Sequence, residues 1–308
     1  MDYDYESIDS GIKDKIITEI EAEIKNDNSK FFEEQPPITI NRDVWANLDY
    51  PDKAEIQEAI FGDKTSISLT REQVFDETKT KTKTKIKIMK VLMWGYKKPF
   101  GTPSKDVFES IAKNLTRLKE LFEEIKEKQK EPGLERNDIE NLFKNFENPK
   151  IKGLGKNAVA TKSKLLYFFD VSFDGKRCLI YDSNVISFLN HTDDKLTLCE
   201  DCYGEYLILN SDLKAELELK DFIRKAPWEP TDDCYFKYLD LMNDLMLQLK
   251  TDSENDSKIK EKIQGKSDKE IEEQIELYMF EEGEKLADDK KEKLKELKKQ
   301  GKGTEKKR

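Results

Sequence analysis

The chain has 308 residues, 39% of them charged and 36% hydrophobic, with a formal net charge of −10. That length suits two small domains or one larger domain with extensions, and 16 Phe, 11 Tyr and 3 Trp can build a sizeable core. A single histidine excludes three-histidine metal sites, no apolar run is long enough to span a bilayer, and the acidic start from Met1 to Glu6 lacks the basic-then-apolar layout of a signal peptide. A cytoplasmic monomer with no membrane partner is therefore the expectation.

In chain order, Ile12, Ile16, Ile17, Ile20 and Ile24 recur at helical spacing in an acidic stretch that Pro36-Pro37 breaks. Residues 53–75 suggest one or two short helices. The Thr-Lys alternation of 78–85 has nothing apolar to alternate with and reads as an exposed loop or arm. Residues 86–96 predict an apolar helix with its stop signal at Gly95. Ser104 is placed to cap one long helix that carries Val107, Phe108, Ile111, Leu115, Leu118, Leu121, Phe122 and Ile125 at i, i+3, i+4 spacing. Pro132-Gly133 ends it, and a short helix follows over Asn137–Phe146.

A hairpin at Gly153-Leu154-Gly155 leads into a helix over 157–169. Next come a turn at Asp174-Gly175, an apolar run from Cys178 to Tyr181, and a helix over 183–190 that Asp182 is placed to cap. Further helices are expected at 203–209, 212–223, 232–250 and 268–280, with a polar linker at 251–266. The fold class is all-α, with little or no sheet. Three segments are expected: an acidic N-terminal extension (1–77), a helical region (78–280) with the hairpin at 150–169, and a charged tail (281–308) that is a frayed helix or disordered.

A net negative charge argues against nucleic acid only if the charges are evenly spread. They are not. Residues 79–105 hold nine lysines and no acid, and residues 150–164 hold five lysines and no acid. A solvated face is the plain reading of the lysines at 79–87; the second stretch coincides with the hairpin. Cysteines 178, 199, 202 and 234 include one Cys-x-x-Cys pair, a spacing that suits zinc but that buried or incidental thiols explain as well.

The chemistry concentrates in 151–182. A Gly-apolar-Gly hairpin turns backbone N–H groups outward at the mouth of a helix, where an anion is favoured, so Gly153, Gly155 and Lys156 form a candidate phosphate grip. Lys164 lies seven residues after Asn157, about two turns along the same helix face. Leu165, Leu166, Phe168 and Phe169 surround it with apolar bulk, which disfavours the charged form and frees an amine nucleophile. Asp182, eighteen residues on, is either a plain N-cap or a carboxylate that stabilises positive charge developing on a sugar. Lys162 is a third amine, about 140° round the helix from Asn157. Trp94, Tyr96, Tyr167 and Trp228 are candidates to stack a base, with core packing as the alternative for each. His191 reads as a helix C-terminal cap.

The run Gly153-Leu-Gly155, Ser163-Lys-Leu-Leu-Tyr-Phe168 and Cys178-Leu-Ile-Tyr-Asp-Ser-Asn-Val-Ile-Ser-Phe-Leu189 resembles the helix-hairpin-helix DNA glycosylases, in particular the bacterial 8-oxoguanine glycosylase OGG-fold group and its archaeal relatives. Val91-Leu-Met-Trp94-Gly95-Tyr96, Tyr235-Phe-Lys-Tyr238 and Ile275-Glu-Leu-Tyr-Met-Phe280 extend the resemblance over roughly 86–280. It implies an enzyme that binds double-stranded DNA, flips out a modified base and cleaves its N-glycosidic bond without a cofactor or a metal. Lys164 would be the nucleophile and Asp182 its assistant, and strand cleavage at the abasic site can follow. In the commonest members the lysine stands just after the hairpin glycines, where this chain has Lys156-Asn157; Lys164 matches the bacterial and archaeal subgroup. The base would be 8-oxoguanine or, as in relatives that act in defence, a hypermodified phage base. A non-catalytic helix-hairpin-helix binding module and a zinc-stabilised regulator are the alternatives.

Overall fold

In a computed structural model the chain is predominantly helical, in keeping with the all-α expectation. The structure describes residues 10–27, 29, 31–33, 35–75, 83–96, 105–130, 133–156, 158–192 and 228–304, the side chains of 10, 290, 291 and 293–304 excepted. Two compact units result. The hairpin unit takes Phe32–Asp182 and Pro230–Asp240; the terminal unit takes Met1–Phe31, Ser183–Glu229 and Leu241–Arg308. These units draw on different stretches from the segments expected at 1–77, 78–280 and 281–308.

The hairpin unit opens with β1 (Ile38–Asn41), α2 (Arg42–Ala46), α3 (Lys53–Phe61), β2 (Ser66–Leu69) and α4 (Arg71–Phe75), preceded in the chain by α1 (Ser10–Lys25). The two strands pair antiparallel, Ile38 opposite Leu69. Helices alone were expected over 53–75, but Ser66-Ile-Ser-Leu69 alternates polar and apolar with period two, which suits a half-buried strand. At the centre lies α5 (Lys83–Gly95), whose Ile86, Ile88, Met89, Val91, Leu92 and Met93 are all at most 1% exposed. A helix apolar on every side belongs inside, and α5 packs against β1, α3, α4, α7 and α9.

α5 begins three residues before the expected 86, and its lysines are tied down instead of forming an arm. Lys85 Nζ sits 2.6 Å from Asp52, while Lys87 and Lys90 donate to the carbonyls of Phe75 and Gln73, each at 3.2 Å. The expected arm at 78–82 and Ser104 lie outside the described residues. The single long helix expected after Ser104 is two, α6 (Lys105–Lys113) and α7 (Leu115–Lys130). They part at Asn114, whose side-chain amide donates to the Ser110 carbonyl at 2.7 Å in competition with the helical ladder. α8 (Arg136–Glu147) starts with a reciprocal cap between Glu135 and Asp138 and leads through the hairpin to α9 (Val159–Phe168). A tight ribbon of β3 (Ser172–Phe173) and β4 (Lys176–Arg177) turns at Asp174 and Gly175, both at positive φ, as a two-residue hairpin requires.

The terminal unit contains α10 (Ser183–Thr192), the later part of α11 (Asp232–Ser253), α12 (Ser257–Ile263) and α13 (Asp268–Thr304), together with α1. Ile12, Ile16, Ile17, Ile20 and Ile24 of α1 are buried, and α1 packs on α10 and α12. α12, capped by Asp256, occupies the expected linker. Ser267 and Glu270 cap each other's backbone at the start of α13, which stays helical through the expected tail as far as Thr304. Where α13 meets α10 it has Gly283; a Cβ there would lie 1.9 Å from the Asn184 carbonyl oxygen. The helices expected at 203–209 and 212–223 lie outside the described residues. No helix among the described residues is long and apolar enough to cross a membrane.

Candidate active site

The segment from α8 to α9 is a helix, a glycine hairpin and a second helix. Ile151 donates to the Phe146 carbonyl at 2.8 Å, Leu154 to Ile151 at 3.0 Å and Ala158 to Gly155 at 2.9 Å, so the turn closes on its own backbone. Arg117 of α7 clamps the end of α8 and the turn after it: its guanidinium donates to the carbonyls of Asn145, Asn148 and Pro149, the last at 2.9 Å. Gly153 is required by the fold. Its φ is +92°, and a Cβ there would meet the Val107 side chain at 2.3 Å. Gly155 is different: φ is not positive, and the nearest atom to a Cβ is Lys150 Cε at an ordinary 3.8 Å. Lys152 and Lys156 are exposed beside it. Asn157 lies outside the described residues.

One turn into α9 the chain delivers the lysine. Lys164 and Asp182 are 5% and 9% exposed, and Lys164 Nζ donates to Asp182 Oδ2 at 3.0 Å. Their neighbours hold them together. Ser163 Oγ accepts the Tyr181 N–H at 3.0 Å in the core and donates to the Ala160 carbonyl at 3.2 Å. This bond fixes the register of the apolar run 178–181 on α9, so residue 182 falls opposite residue 164. A charge-assisted bond with little water around it is stronger than the same contact on the surface.

Lys162 is no less buried. Its ammonium bonds to Asp232 at the start of α11 and lies 4.1 Å from the centroid of the Phe143 ring. Burial pushes the Lys162 ammonium below its usual range and the Asp232 carboxyl above its own, in each case against the pull of the partner charge. Sequence reasoning ranked Lys162 by its angle from Asn157 and did not find Asp232 or Ser163. In the sequence, a second lysine two residues before Lys164 in the same apolar helix is the one signal that pointed toward a second acid.

The aromatic candidates separate. Trp94 is half-buried at the end of α5, edge-on to Phe168 with centroids 5.0 Å apart, and the Arg71 guanidinium carbon lies 5.4 Å from its ring centre. Tyr167 is fully buried between the guanidinium groups of Arg71 and Arg177, at 5.0 and 4.8 Å. Trp228 belongs to the terminal unit and is 6% exposed, its backbone N–H and carbonyl both bonded to the Asn190 side chain. His191 stands in the last turn of α10. Burial pushes the Cys178 thiol up to about 12, and Cys234 is half-buried; Cys199 and Cys202 lie outside the described residues. No cluster of His, Cys, Asp and Glu suited to a metal occurs among the described residues. A recess of about 340 Å³ between Gln129, Glu135 and the Asp174-Gly175 turn includes neither Lys164 nor Asp182.

A glycine hairpin with exposed lysines thus joins α8 to α9, and α9 holds a buried amine against a carboxylate. Residues 33–280 match the family described as "Putative 8-oxoguanine DNA glycosylase OGG-like protein", and the chain belongs to that family. No curated protein and no solved structure matches the chain. The match begins with the hairpin unit, so α1 precedes it.

Proposed function

We propose that the protein is a DNA N-glycosylase that excises an oxidised purine of the 8-oxoguanine kind, with Lys164 as nucleophile and Asp182 as its electrostatic partner. The observation that carries this reading is the buried Lys164–Asp182 bond, one turn into the helix that follows the hairpin, in a chain of this family. Gly155, Lys152 and Lys156 present backbone and charge to a phosphate, a grip that reads no sequence. Trp94, half-buried at the end of α5 next to Gly95, is the aromatic assigned to stack an extruded base.

In this scheme the Lys164 ammonium passes a proton to Asp182 along their hydrogen bond, and the neutral amine attacks C1′ of the flipped nucleoside. The C1′–N bond breaks, the base leaves with its electron pair and takes up a proton, and opening of the sugar ring gives a Schiff base. Water returns the amine and leaves an abasic site; loss of the 3′ phosphate by β-elimination from the Schiff base gives the lyase outcome. Asp182, ionised again once its proton is lost, stabilises the cationic sugar.

Borohydride reduces a Schiff base to a stable amine and so tests the scheme directly. Duplexes bearing 8-oxoguanine, an abasic site or glucosylated hydroxymethylcytosine should separate the substrates, with a covalent band that Lys164→Ala removes while DNA binding stays within about threefold. Base release by Lys164→Ala at the wild-type rate would overturn the assignment. Salt-sensitive binding with no released base from any duplex would make the protein a binding module.

A further inference from the structure

Three residues of α9 at positions 161, 164 and 168, spaced by three and four, form one stripe along the helix. Each meets one consecutive residue at the end of α5. Thr161 Oγ1 hydrogen-bonds the Tyr96 hydroxyl at 2.6 Å; Lys164 lies on Gly95; Phe168 packs edge-on to Trp94. The smallest residue of the three stands opposite the lysine. A Cβ at position 95 would lie 2.8 Å from Lys164 Cδ and 3.2 Å from Cε, well inside contact distance. The Lys164 ammonium is then 5.6 Å from the centre of the Tyr96 ring, which the Thr161 bond and an edge-on contact with Phe108 at 5.2 Å hold in place.

We propose that the end of α5 is a positioning device for the Lys164 amine: Gly95 supplies a notch that takes the methylene stem, and Tyr96, fixed by Thr161, is a wall that keeps the ammonium on Asp182. The inference rests on the reading of Lys164 as the reactive amine, and none of the three residues touches the reacting atoms. The clash at position 95 falls on a flexible stem and not on backbone, and the φ of Gly95 is one that alanine adopts. Gly95→Ala therefore keeps the α5–α9 packing and moves the amine. The consequence is an effect on chemistry without a matching effect on folding. A misplacement of about 1 Å costs on the order of 100-fold in rate.

The test compares wild type, Gly95→Ala, Tyr96→Phe, Thr161→Val and the Tyr96/Thr161 double variant, with Lys164→Ala alongside. Single-turnover excision and borohydride trapping on saturating 8-oxoguanine and abasic-site duplexes are read with the melting temperature. Gly95→Ala should lose about 10- to 100-fold in the trapping rate with DNA affinity and melting temperature near wild type. Tyr96→Phe and Thr161→Val should each lose about three- to tenfold, and the double variant no more than the worse single, because both remove one bond. Reductive methylation without DNA, mapped by mass spectrometry, reads the amine independently of any substrate. Gly95→Ala should change the rate at Lys164 by at least about threefold and leave Lys162 unchanged. Wild-type trapping and labelling in Gly95→Ala would overturn the proposal, as would additive losses in the double variant. Excision that survives Lys164→Ala would instead remove the catalytic reading, and the labelling result would still decide whether the notch positions the amine.

Discussion

Lys162 and Lys164 stand two residues apart on α9 and so face nearly opposite ways, about 200° round the helix. Both are buried, and both bond to an aspartate. What differs is the surroundings. The Lys162 side is closed by Phe143, Asp232 and the start of α11, and its lysine side chain is 0% exposed. The Lys164 side has a glycine against the stem, a tyrosine beside the ammonium, and an acid at the end of a run held by Ser163. On the proposed reading, one pair is a structural tie and the other an amine kept ready. Residue type and burial do not distinguish them, whereas the neighbouring helices do.

The sharpest way to break this comparison is to replace each lysine by methionine. Lys164→Met should lose on the order of 10³-fold or more in single-turnover excision, and equal losses from Lys162→Met at unchanged stability would erase the distinction. Asp182→Asn keeps the size of the side chain but removes its charge, and should cost about 100- to 1,000-fold in the same assay.

On the sealed side the effect should appear in stability. Lys162→Met leaves a half-buried carboxylate without its cation and should cost about 2–4 kcal/mol in denaturant unfolding, while Lys162→Met with Asp232→Leu should recover most of that or exceed wild type. The pH behaviour has a definite sign. Asp232, raised from 3.8, adds stability below that value and loses it as pH rises through its folded value; Lys162, lowered from 10.5, adds stability above that value and loses it as pH falls through its folded value. Between those limits both charges oppose folding, so the gain of the double variant over its single parents should be clear at pH 7. The smallest effect concerns Cys178, which shares this side with Tyr235. With its thiol at about 12, alkylation at pH 8 should spare Cys178 until the protein unfolds and should label Cys234 first. Prompt modification of native Cys178 would show that this side is open.

Much of the frame was legible because it rests on local signals. The isoleucine period of α1, the hairpin glycines and the Asp174-Gly175 turn each act within a few residues. Lys164 and Asp182 were each candidates from their own surroundings, but their pairing drew its support from motif resemblance, since the eighteen residues between them carry no spacing rule. Gly95 read as a helix stop, which it is, but its closeness to Lys164 is a property of how α5 crosses α9. The break at Asn114 depends on one side-chain bond that competes with a strong apolar period. The strands at 38–41 and 66–69 were missed because four residues of alternation weigh little beside the longer helical pattern around them.

Gly283 points to a wider consequence. Its Cβ position falls on a backbone oxygen of Asn184, so no rotamer of any side chain can relieve the overlap. A saturation scan scored by base excision would mark position 283 as intolerant much as position 164, although it lies three residues beyond the family match and joins two helices. Intolerance alone would thus merge the scaffold with the chemistry, and a second screen for abundance would be needed to pull them apart.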